Sequence, residues 1–156
     1  MSDMADNVEP KNTIRITRQG KIRYWVNFAL EFFEKNPEDA LMLYTPPGSL
    51  VMPRLITVVE IIKREYMKIL DISSSLSGLH QYNRLGYVED AERGDDEERL
   101  QPYMKITLSR RALPGSADQS VTYQTPAMRR LSRTTKARMR KRQKGEAGQE
   151  MGSGNN

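Results

Sequence analysis

Residues 49–66, SLVMPRLITVVEIIKREY, decide the fold. Leu55, Val58, Val59, Ile62 and Tyr66 recur at helical spacing, so the stretch reads as an amphipathic helix with one apolar face. Pro53 is compatible only with a first turn, which puts the regular helix start at Met52 or Pro53. The preceding Thr45-Pro46-Pro47-Gly48-Ser49 is a turn cluster. Its glycine-serine pair lets backbone N–H groups face outward at the helix N-terminus, an arrangement that attracts phosphate, and Arg54 stands in the first turn. A buried helix with an ordinary cap accounts for the same residues, so the neighbouring elements must choose between the two readings.

Towards the N-terminus, Lys21–Lys35 carries Ile22, Trp25, Val26, Ala29, Leu30 and Phe33 on one helical face, and Asn36-Pro37 ends it. Thr13–Arg18 alternates, with Ile14 and Ile16 on one side, and reads as a strand; Ala40–Thr45 is an apolar run of strand length. Towards the C-terminus, Lys68–Ser73 resumes strand character, and Tyr103–Ser109 alternates Met104, Ile106 and Leu108 as the last strand. The expected fold class is α+β, with order β-α-β-α-β-β and both helices on one face of a four-stranded sheet.

Ser74–Pro102 is too long for a tight turn. Leu79–Val88 holds Tyr82, Arg84 and Tyr87 and is suited to extend the strand pair outward as a ribbon. Glu89–Glu98 holds seven acids against Arg93 alone and reads as a solvated connection.

Charge divides the chain of 156 residues. Nine of the 25 Lys/Arg and three of the 20 Asp/Glu lie in Leu113–Asn156, a tail of +6, which leaves −1 for Met1–Ala112. The expected organisation is a frayed leader over 1–11, one domain over 12–112 with its long hairpin at 74–102, and a basic tail over 113–156. Met128–Lys144 is basic without an acid and is expected to be disordered until bound, with Ser132, Thr134 and Thr135 among its charges. There is no cysteine, and His80 is the sole histidine, without a metal-spaced partner. No nucleophile–base pair, phosphate-binding glycine loop or calcium loop is visible, so the expectation is a non-enzyme without metal or cofactor. The chain has no membrane-length apolar run.

GKIRYWVNFALEFF at 20–33 and LITVVEIIKR at 55–64, in this order of elements, resemble the Alba family over roughly Asn12–Arg110. Alba domains are small β-α-β-α-β-β units that usually pair as homo- or heterodimers and bind DNA or RNA. Where the family carries a lysine pair before its first helix, this chain has Gln19-Gly20-Lys21, with Arg18 beside it. Where the family has a Gly-Arg-Ala-Ile-Ser-Lys-like turn, this chain has Ser49-Leu50-Val51-Met52-Pro53-Arg54. The family's long hairpin corresponds to Ser74–Pro102.

The resemblance implies an RNA-binding protein, homo- or heterodimeric with another Alba-domain chain, acting on mRNA stability and translation in cytoplasmic ribonucleoprotein particles. The alternatives it implies are a protein subunit of ribonuclease P or MRP, and a chromatin architectural protein that binds DNA in the nucleus. The residues themselves supply a matching surface. Lys11, Arg15, Arg18, Lys21 and Arg23 are five cations in thirteen residues with no acid between them, a basic ledge that this topology puts at the same end of the domain as the Pro47–Arg54 turn. Tyr82 and Tyr87, with Arg84 between them, are suited to stack on unpaired bases. Arg129, Arg130, Arg133, Arg138, Arg140 and Arg142 would add sequence-independent attraction from the tail.

Overall fold

The computed structural model describes residues 11–71, 73, 75–89, 99–115 and 118–150. Its elements are β1 (Thr13–Arg15), α1 (Ile22–Lys35), β2 (Leu41–Tyr44), α2 (Met52–Ile69), β3 (His80–Glu89), β4 (Leu100–Ser109), β5 (Val121–Gln124) and α3 (Arg133–Glu150). The β-α-β-α-β-β order that the Alba resemblance implies is present in the first six. The strands form one sheet in the order β1-β2-β4-β3-β5, with β1 parallel to β2 and the other neighbours antiparallel.

Strand alternation decides which side of the sheet becomes the core. Ile14, Leu43 and Ile106 lie opposite one another in register, and Leu41 pairs with Leu108; all five are buried. Against this side pack Trp25, Val26, Ala29, Phe32 and Phe33 of α1 and Leu55, Val58, Val59, Ile62 and Tyr66 of α2. Phe33 sits at the centre, edge-on to Phe32 at 5.6 Å and to Tyr66 at 5.8 Å. The apolar face foreseen for the second helix is thus the face that closes the core.

Three expectations are corrected. First, the segment expected as a strand over Lys68–Ser73 begins as helix: α2 runs on to Ile69, with Tyr66 still buried in the core and Lys68 paired with Glu65 one turn back. A short apolar run does not distinguish a strand from a last helical turn. The third strand is instead His80–Glu89, the segment foreseen as a ribbon, and it pairs with β4 over its full length.

Second, the sheet gains a fifth strand beyond Ala112. The β4–β5 connection crosses β3, where the Leu113 N–H donates to the Tyr82 hydroxyl at 2.8 Å, and β5 then pairs with the outer edge of β3. This covers an edge that would otherwise offer unpaired backbone groups. Third, the basic run is helical as α3. Ser132 caps it, its Oγ accepting from Thr135 N–H at 3.2 Å, and the Lys and Arg side chains over 133–144 radiate into solvent, which spreads their repulsion. Backbone bonds from Gly78 to Ala127 and from Arg129 to Leu76, both 2.8 Å, tie the approach to α3 onto the start of β3. The acidic stretch at 90–98 lies outside the described residues, as does the leader at 1–10.

Truncation of Phe33 to Ala should cost about 3–5 kcal/mol of stability, read as a lowered midpoint in urea unfolding.

Candidate nucleic-acid interface

Strands β1 and β2 run in the same direction, so the β1–α1 loop and the β2–α2 turn emerge at one end of the domain. The side chain that joins them is Arg54. Its Nη1 donates to the Arg18 carbonyl at 2.8 Å, its Nη2 donates to the Gly20 carbonyl, and its guanidinium lies over the Trp25 ring at 5.4 Å. Gly20 is required at this crossing, since a Cβ there would come within 1.9 Å of the Trp25 ring.

The turn into α2 is pinned as well. Thr45 N–H donates to the Met104 carbonyl at 3.0 Å, the Thr45 hydroxyl accepts from Met104 N–H at 3.1 Å, and Gly48 N–H donates to Pro102 at 3.0 Å. Gly48 has a φ of 69° and Leu50 a φ of 56°. The left-handed conformation is natural for glycine and strained for leucine, and Leu50 is held in it while its side chain faces solvent.

Both core helices begin here without side-chain caps and without an acid in the first turn. The positive ends of their dipoles therefore lie behind the exposed Arg18, Lys21 and Arg23. The hairpin of β3 and β4 extends from the same end, beyond the β2–α2 turn. A phosphate backbone laid on this end would meet exposed cations, two helix N-termini and a projecting ribbon.

The foreseen residues divide into those displayed and those occupied. Arg18, Lys21 and Arg23 are displayed together. Lys11 is not among them: it lies at the other end of β1, in a groove with Asp39, Glu31 and Lys35. Arg15 is exposed, but on the sheet face opposite the helices. Ser49 turns its Oγ into the structure, and Arg54 is a brace between two loops with its Nε buried.

In the hairpin, the Tyr82 hydroxyl is taken by Leu113 and its ring lies 5.0 Å from Tyr123, so Tyr82 locks the β4–β5 connection. Arg84 is exposed and lies 3.8 Å from the Asp118 carboxylate. Two hydrogen bonds from Ser120, and then the Arg84 charge, hold the Asp118 carboxyl below the ordinary value of 3.8. Tyr87 is 61% exposed, on the helix side of the sheet, near Leu85 and Leu100. In the tail, Arg129 is occupied, its Nη1 donating to the Leu70 carbonyl at 2.9 Å near the C-terminus of α2. Arg130, Arg133, Arg138, Arg140 and Arg142 are exposed. His80 is paired with Tyr123, Nδ1 to Oη at 2.7 Å. Among the described residues, no group of three or more His, Cys, Asp or Glu side chains could share a metal ion.

Tyr44, Tyr103 and Lys105 escaped the reading of the sequence. The signal was available in part: the alternation that put Met104, Ile106 and Leu108 in the core also put Tyr103 and Lys105 together on the other face. What sits beside them depends on strand order, which alternation does not give.

No protein-family model matches the chain, and no curated protein does either. Among solved structures, it is similar to Alba from Thermoplasma volcanium, at 18% sequence identity and a TM-score of 0.45, over 64% of this chain and 100% of that one.

Replacement of Arg54 by Ala should destabilise the domain by about 2–3 kcal/mol, the scale of lost hydrogen bonds from a charged donor. Arg54→Lys should recover little of it, since an ammonium cannot serve both carbonyls and stack on Trp25. Thermal melts of the two variants beside the native chain measure both effects.

Proposed function

We propose that the chain is an Alba-like nucleic-acid-binding protein whose ligand is RNA, acting on mRNA stability and translation in cytoplasmic ribonucleoprotein particles. The observation that carries the binding role is the one end of the domain where Arg18, Lys21 and Arg23 stand exposed before two helix N-termini with no acid in either first turn. Such a surface grips the phosphate backbone without reading sequence. The exposed cations of α3 extend the field, and residues 133–144 themselves include no acid, which suits them to a polyanion.

Pairing with a second Alba-like chain is part of this proposal. Leu85, Tyr87 and Leu100 are exposed on the helix side of the hairpin, and Ile56 is exposed on α2. Apolar side chains in such number on one side of a monomer favour a partner subunit. A dimer would also place two basic ends on one particle, and two linked sites bind one long strand far more tightly than either does alone.

The test is a competition on the full chain between single-stranded RNA, a structured RNA and duplex DNA at two salt concentrations. Preference for the single strand supports the mRNA role. Tight binding of the structured RNA alone would favour a ribonuclease P-type subunit, and preference for the duplex would favour a chromatin protein. Joint replacement of Arg18, Lys21 and Arg23 by Ala should weaken RNA binding about tenfold and reduce the slope of log K against log salt by about two. Leu85→Glu should shift the chain to monomer in sedimentation velocity.

A further inference from the structure

The sheet has a second face, turned away from α1 and α2. Four of its residues lie in direct register across four strands: Arg15 opposite Tyr44, Tyr44 opposite Lys105, and Lys105 opposite Arg84. At a strand spacing of about 4.8 Å this row spans about 14 Å. One pleat further along β4, Tyr103 sits opposite Gly86, and its ring lies across that glycine: a Cβ at Gly86 would come within 2.5 Å of the ring. Lys105 Nζ stands over the same ring at 5.5 Å. Among the described residues, the strands place no Asp or Glu on this face; Glu89 falls on the helix side.

One border of the face is closed. The β4–β5 connection crosses β3 at Tyr82, and its Asp118 carboxylate lies 3.8 Å from Arg84. What remains is a shallow floor over β1, β2 and β4 with Tyr44, Tyr103, Arg15 and Lys105, and with Arg84 of β3 at its closed border.

We infer that this face is a second RNA site, which takes two or three consecutive unpaired nucleotides. Bases stack on Tyr44 and Tyr103, and phosphates lie against Arg15, Lys105 and Arg84. The inference rests on the proposal that the chain binds RNA. It deepens it, because of the two foreseen stacking residues Tyr82 is occupied and Tyr87 lies on the helix side of the hairpin, whereas this face sets tyrosines and cations side by side. Charge and chemistry select the occupant. Cations on a face whose strands carry no described acid favour a polyanion, and aromatic rings on a flat sheet accept base faces, which a duplex keeps inside its stack. Asp118 competes with phosphate for Arg84, so the connection lowers affinity at that border.

The test uses the full chain and a fluorescein-labelled twelve-nucleotide oligouridine, with its deoxy counterpart and a closed G·C duplex as comparison probes. Tyr103→Leu and Tyr44→Leu should each weaken oligouridine binding about tenfold, with the salt slope and duplex binding unchanged. Lys105→Ala should lower the salt slope by about 0.7. Because a strand substitution can unsettle the sheet, a second measurement uses the native chain: 4-thiouridine photocrosslinks should map to peptides holding Tyr44 and Tyr103. Crosslinks confined to 18–23, with native affinity in both tyrosine variants, would overturn the inference and leave the RNA-binding role standing. Equal binding of the deoxy strand would overturn the assignment to RNA. Failure of the native chain to bind any of the three probes would overturn both the inference and the proposed function.

Discussion

The guanidinium of Arg54 is the constraint on which the functional end of this domain depends. Within the β1–α1 loop the Gly20 N–H donates to Thr17 Oγ1 at 3.3 Å, and a loop held by so little would sample many shapes at little cost. Arg54 takes the Arg18 and Gly20 carbonyls and leans on Trp25, so one side chain from α2 fixes the loop ahead of α1. Two consequences follow from this one contact. The N-termini of α1 and α2 are held beside each other, and Arg18, Lys21 and Arg23 keep their own charges for solvent or ligand. A cation foreseen as a ligand contact thus serves as the brace for the cations that remain displayed.

Strand parity divides the labour of the long hairpin. Near the body, the helix-side residues of β3 and β4 complete the core, with Gln81 buried and accepting from Lys63 Nζ at 2.8 Å. Farther out the helices no longer cover that side, and the same parity exposes Leu85 and Tyr87. The other parity carries Tyr82, Arg84 and Gly86, and each is spoken for by a different neighbour: Leu113, Asp118 and the ring of Tyr103. One ten-residue strand therefore contributes to the core, to an apolar surface and to a polar sheet face.

The tail is tied to the domain by backbone as much as by charge. Gly78 lets the chain at Ala127 approach closely, because any Cβ would meet the Ala127 carbonyl at 3.0 Å, and Arg129 then caps the end of α2. These contacts set the origin of α3 next to the C-terminus of α2. Asp71 and Ser73 line a groove there with Arg138 and Arg142.

By itself the sequence determined the two core helices, their apolar faces and the strands on either side of α1, because a 3.6-residue or two-residue period needs no knowledge of what it packs against. It also located the cations. It did not determine the end of α2, since Lys68–Leu70 satisfies a strand pattern and a helical one equally well. Nor did it reveal β5, whose four residues become a strand only because β3 leaves an edge to pair with. Tertiary structure alone decided which charged and aromatic groups are free. Arg54, Tyr82 and Arg129 look like Arg18, Tyr87 and Arg130 in sequence, yet each of the first three meets a carbonyl or N–H from 31 to 59 residues away. Hydrogen bonding at such distance is set by how the chain folds back on itself, and no local pattern encodes it.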